Sequence, residues 1–205
     1  PSKDASTTTM GLRDFAATAP IKLLYSDNSG EIKQAAKSLG WLHDTSTDNR
    51  PQANGVIERQ NRNMLEGLRS VLHESGLEHK FWSQAVQTWC FLNNVVKVSE
   101  KQPQSPWARR HGGTSKFDGL LVAFGAKVHY LPTADREVEA RQKAGPRMVE
   151  GLFAGYKLLH DARWAGEYLV YDRMAYENWD GCRDLPVHTT KEIYIPGTTS
   201  DSKDV

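Results

Sequence analysis

The spacing of apolar residues changes halfway along this 205-residue chain, and that change limits the folds open to it. Up to about residue 97 the apolar positions recur mostly at helical spacing, interrupted by two short apolar runs. Beyond residue 117 they fall into short Val-, Tyr- and Phe-rich runs separated by Gly, Pro and Asp, which is strand punctuation. The first part reads strand, helix, strand, helix, helix, an α/β order. The second reads as a small all-β module, expected to close as a barrel. The expected boundaries are 1–97 for the α/β part, 98–117 for a basic Pro/Gly linker, 118–196 for the β module and 197–205 for a disordered polar tail.

Within the first part, residues 3–17 are expected to form a helix with Met10, Leu12 and Phe15 inward. Ile21 to Tyr25 reads as a buried strand, which puts Asp27 at its carboxyl end. Residues 31–39 read as a helix stopped by Gly40, and 41–46 as a second short strand. A polar, Pro-containing loop follows. Asn54 is the expected N-cap of the longest helix, with Ile57, Met64, Leu65, Leu68, Val71 and Leu72 on its apolar face and Gly76 at its end. A further helix over 78–96 carries Phe81, Trp82, Ala85, Trp89 and Leu92 on one side.

Bulk composition excludes more than it assigns. Charged residues make up 25% and the formal net charge is +1, so charge alone does not announce nucleic-acid binding. Cys90 and Cys182 lie far apart, which gives neither a zinc ligand set nor a disulfide framework and points to a reducing compartment. No apolar run reaches membrane-spanning length and no signal-peptide pattern opens the chain, so no membrane partner is expected. The chain opens PSKDAS without Met and is expected to be a piece of a longer protein.

Asp27 and Glu58 are the candidates for chemistry. One carboxylate ends a strand, where α/β sheets bind ligands, and the other lies near the start of the following long helix. Converging carboxylates can hold Mg²⁺, a hard cation that takes oxygen ligands and keeps several waters. Each residue also has a plainer reading. Asp in DNSG is a common turn residue, and Glu early in a helix is favoured by the helix dipole. Glu58 and Arg62 at i, i+4 fit ordinary helix support, whereas beside a metal the arginines would hold phosphates. Asn54, Asn61 and Asn63 offer neutral donors for phosphate or base edges. Trp82, Trp89 and Cys90 read as core, His43 and His73 as structural, and Ser26 as lacking a nearby base. No Gly-rich phosphate loop is present in the sequence.

Several ordered motifs resemble one family. YSDNSGEI, then HDTS, then RPQANGVIERQNRNMLEGLRSVL resembles the integrase core of copia-type retrotransposon Pol polyproteins, with its Asp-Asn-Gly-Gly-Glu turn and Pro-Gln-x-Asn-Gly-x-x-Glu-Arg pattern. GLEHKFWSQAVQTWCFLNN is similar to the family's following helix. SPWARRHGGTSKFDGLLVAFGAKVHYLP, GLFAGYKL and EYLVYD resemble the segments leading into and forming its small SH3-like barrel. The resemblance covers roughly residues 20–196.

What the resemblance implies is an RNase H-like core performing polynucleotidyl transfer: element DNA 3′ ends attack target DNA, with Mg²⁺ or Mn²⁺ held by three acids. Asp27 matches the second acid and Glu58 the third, as catalytic and metal-binding residues. Asn54, Arg59, Arg62 and Arg69 are implied to face DNA. The implied partners are element ends, target DNA and further copies of the protein, with no small-molecule substrate. The implied location is the nucleus, after a cytoplasmic particle. The family's first Asp lies on an earlier strand, and Asp4 and Asp14 fall in a segment matching a helix, so the isolated chain is expected to be inactive. Glu58 follows Asp27 by 31 positions, a shorter interval than the family's, and Thr47-Asp48-Asn49 replaces its Pro-Tyr. The alternative reading is a decayed or co-opted module that binds nucleic acid or a partner without catalysis.

Overall fold

A computed structural model describes residues 4–45, 51–112, 117–132 and 147–197; for residues 51–54 it describes the backbone alone. The fold is mixed α/β and includes a five-stranded antiparallel sheet. The chain divides into two compact units, Pro1–Leu65 with Leu158–Arg163, and Glu66–Lys157 with Trp164–Val205.

The first unit begins with helix α1, Ala5–Ala16. Asp4 caps it: its carboxylate accepts from the Thr7 backbone N–H at 2.8 Å. Met10 and Phe15, expected inward, are 65% and 60% exposed, and the buried residue is Ala16. Small side chains allow α1 and α2, Gly30–Leu39, to pack closely, with Ala35 and Ala36 buried. Gly40 ends α2 as expected, at φ 69°, where its N–H reaches the carbonyls of Ala36 and Lys37.

Strand β1, Leu24–Ser26, pairs in parallel with β2, His43–Thr45, in the register Leu24↔His43 and Ser26↔Thr45. The expected buried strand is a correction: β1 is three residues long, none of them fully buried, and Tyr25 is exposed. Helix α3 runs Pro51–Ser75, so it starts three residues before Asn54, which is not its N-cap. Pro51 suits a first helical position because its fixed φ matches the helix and its missing N–H has no intrahelical partner to lose. Of the expected apolar face, Leu72 is buried, whereas Ile57 and Leu65 are exposed.

The second unit holds the end of α3, a short 3₁₀ turn His79–Phe81, helix α4, Trp82–Val96, and helix α5, Pro106–Arg110. Helix α5 falls inside the expected linker, capped by the Ser105 hydroxyl, which accepts from the Ala108 N–H at 3.2 Å. Strands β3, Lys127–Tyr130, β4, Val149–Leu158, β5, Trp164–Asp172, β6, Val187–Thr190, and β7, Ile193–Tyr194, line up in the order β6-β5-β4-β3-β7. Helix α6, Arg173–Glu177, follows β5. The buried face of α4 is Ala85, Thr88 and Phe91; Ala85 and Phe81, the last residue of the preceding turn, share a core cluster with Leu72, Phe124, Leu152 and Tyr171. Trp82, expected in the core, is 54% exposed. Residues 198–205 of the expected tail lie outside the described residues, as do Thr47, Asp48 and Asn49.

Candidate functional site

Asp27 follows directly on β1, at the strand's carboxyl end. Its side chain is exposed, and Oδ1 accepts from the Ser29 backbone N–H at 3.3 Å, a turn that leads into α2. Oδ2 makes no hydrogen bond among the described residues. Glu58 lies on α3 in the same compact unit. Because α3 starts at Pro51, Glu58 stands about two turns in, and the first turn holds no acid. The helix dipole acts mainly on charges within the first turn, so it does not account for this carboxylate.

The i, i+4 support expected between Glu58 and Arg62 is not formed: among the described residues Glu58 makes no ion pair. Arg59 instead turns back along the helix, its Nε donating to the Gly55 carbonyl at 3.4 Å. Glu58, Arg59 and Arg62 are all exposed in the first unit. Arg69 is also exposed, on the part of α3 that belongs to the second unit. The side chain of Asn54 lies outside the described residues.

Among the described residues no three His, Cys, Asp or Glu side chains gather as a metal-holding group. The two candidate acids are nevertheless chemically suited to a hard cation. Both are oxygen donors open to water, and Asp27 keeps one oxygen unengaged among the described residues.

One pairing escaped the sequence reading. Ser26, read as lacking a nearby base, and His43, read as structural, meet with Oγ and Nε2 2.9 Å apart. The parallel register places them on one face of the β1–β2 pair, as diagonal neighbours two residues out of line. Nothing in the sequence announces that register, because it is set across an intervening helix.

Similarity to known proteins was found at two levels. The Pol polyprotein of transposon TNT 1-94 from Nicotiana tabacum is 33% identical over 145 residues, which cover 66% of this chain and 10% of that protein. Over this stretch the chain is similar to retrotransposon Pol polyproteins. A second such relative, from transposon RE2 of Arabidopsis thaliana, is 28% identical over 145 residues, covering 69% of this chain and 10% of that protein. The chain spans about a tenth of the length of the curated proteins it matches. No protein-family model matches it. Among solved structures, the catalytic core domain of BIV integrase overlaps 53% of this chain and 72% of its own, with a TM-score of 0.41 and 20% identity. A simian T-cell lymphotropic virus intasome in complex with a PP2A regulatory subunit overlaps 92% of this chain and 62% of its own, with a TM-score of 0.45 and 16% identity.

Proposed function

We propose that this chain is the integrase region of a retrotransposon Pol polyprotein, with an RNase H-like core followed by an SH3-like module. It works within the longer protein to join element DNA ends to target DNA. The observation that carries the reading is the pair of exposed carboxylates in one unit: Asp27 at a strand end and Glu58 two turns into α3, neither engaged in an ion pair among the described residues. Asp27 and Glu58 would hold Mg²⁺ or Mn²⁺, which supplies an activated hydroxyl and charge stabilisation at a phosphodiester. Arg59 and Arg62, exposed on the same part of α3, hold backbone phosphates, with Asn54 and Arg69 as further contacts. Two carboxylates bind a divalent cation weakly. Strand joining therefore needs the third acid that the resemblance places on an earlier strand. The setting is nuclear, and the active form contains several copies.

A strand-transfer assay on the longer Pol protein tests this. Asp27→Asn and Glu58→Gln should each abolish joining while DNA binding persists. Joining that survives Glu58→Gln rejects the assignment. If DNA binding is present but no carboxylate matters, the co-opted binding module is the correct reading.

A further inference from the structure

The contact between Ser26 and His43 reaches Asp27 through the backbone. The Ser26 Oγ lies 2.8 Å from the Asp27 carbonyl oxygen and 2.9 Å from His43 Nε2. A carbonyl oxygen can only accept, and a serine hydroxyl has one proton to give. Both contacts are satisfied together when Ser26 donates to the Asp27 carbonyl and His43 donates its Nε2–H to the Ser26 oxygen. That chain of bonds runs from β2, through β1, to the peptide that follows the candidate metal ligand. It fixes the direction of the Asp27 carbonyl, while the Ser29 N–H fixes one carboxylate oxygen at 3.3 Å.

We infer that Ser26 and His43 are positioning residues for Asp27: together they hold the peptide of this carboxylate in a cation-binding orientation. The inference rests on the reading of Asp27 as a metal ligand. Its physical basis is general. A ligand on a short strand drifts with its backbone, metal coordination tolerates little drift, and groups that orient a ligand govern affinity. The β1–β2 pair is three residues on each side, so backbone pairing alone constrains Asp27 weakly. Ser26 is half-buried, which shields the bond from competing water.

The test uses the 205-residue chain and Mn²⁺ alone, with uptake followed by the electron paramagnetic resonance of the free ion. Ser26→Ala and His43→Ala should each weaken Mn²⁺ affinity about ten-fold or more. The double variant should be little worse than either single, because the two act as one chain. Ser26→Thr and His43→Gln, which keep a hydroxyl and a side-chain N–H, should recover most of the affinity. Amide exchange at Leu24, whose N–H donates to the Leu42 carbonyl at 2.8 Å, reports whether the two strands still pair. Lost affinity with Leu24 still protected supports positioning. Lost affinity together with lost protection overturns it in favour of a strand staple. Uptake abolished by Asp27→Asn but unchanged in Ser26→Ala and His43→Ala overturns positioning alone. Mn²⁺ uptake that is unchanged in Asp27→Asn overturns the metal-ligand reading as well.

Discussion

Gly67 on α3 lies against the indole of Trp89 on α4, so close that a Cβ at Gly67 would stand 2.0 Å from Trp89 Cε2. The absent side chain is what lets the two helices approach. Gly67→Ala therefore sets two effects against each other. Helix propensity favours Ala by about 1 kcal/mol, while forced overpacking costs about 1–3 kcal/mol. At 2.0 Å the clash should dominate, with a net loss of about 1 kcal/mol. Chemical denaturation should show it, together with a shift in Trp fluorescence as the indole is displaced.

The contact between α4 and β4 has the same character at Gly155. Gly155 sits at φ 136°, and a Cβ there would lie 2.6 Å from Thr88 Oγ1, which donates to the Ala154 carbonyl at 3.3 Å. Gly155→Ala meets both backbone strain and the hydroxyl, and should destabilise by about 2 kcal/mol or more. Thr88→Ala alone loses a hydrogen bond worth about 1 kcal/mol. The double variant removes the clash but not the strain. Its loss should be smaller than the sum of the singles, measured as a coupling energy in a denaturation cycle.

Alkaline stability should be limited by tyrosines. Tyr156 donates to the Leu120 carbonyl at 2.8 Å and accepts from the Val122 N–H at 3.0 Å. Burial pushes its phenol up to about 12, and does the same for Tyr171. In the unfolded chain a phenol ionises near its ordinary value of about 10. The stabilisation is therefore whole below about pH 10 and is lost as pH rises through about 12. The denaturation midpoint should fall across this window, and more shallowly in Tyr156→Phe.

Where the sequence reading succeeded, a local signal decided it. Gly40 and Gly76 close their helices at φ 69° and 64°, a backbone state that glycine reaches without strain. Ser105 before Pro106 was an equally local start signal for α5, hidden by the surrounding linker composition. The errors came from packing. On α4 the expected face held Trp82, Ala85, Trp89 and Leu92, yet the buried stripe is Ala85, Thr88 and Phe91, which includes a Thr that an apolar search underweights. Asp27 and Glu58 were readable as residue types in a motif. The Ser26–His43 contact was not, because strand register across α2 leaves no local trace.

DNA binding, if it follows the proposed arginines, should depend on salt in a countable way. Arg59→Ala and Arg62→Ala should each lower the slope of log affinity against log salt by about 0.9 and weaken all duplex sequences alike. Fluorescence anisotropy across a salt series measures this. An unchanged slope in both variants would remove them from the interface.

The unit division carries a consequence for dissecting the molecule. Leu158–Arg163, the last residue of β4 and the turn into β5, groups with Pro1–Leu65, and there His160 Nδ1 meets Asp14 Oδ1 at 3.0 Å. The backbone thus passes between the units three times, after Leu65, after Lys157 and after Arg163. No single cut separates them: a fragment ended at Leu65 leaves behind six residues of its own unit, and a fragment begun at Glu66 carries them along without their neighbours. The two units are interleaved in sequence, so an excision that respects them must splice the turn as well as choose an end.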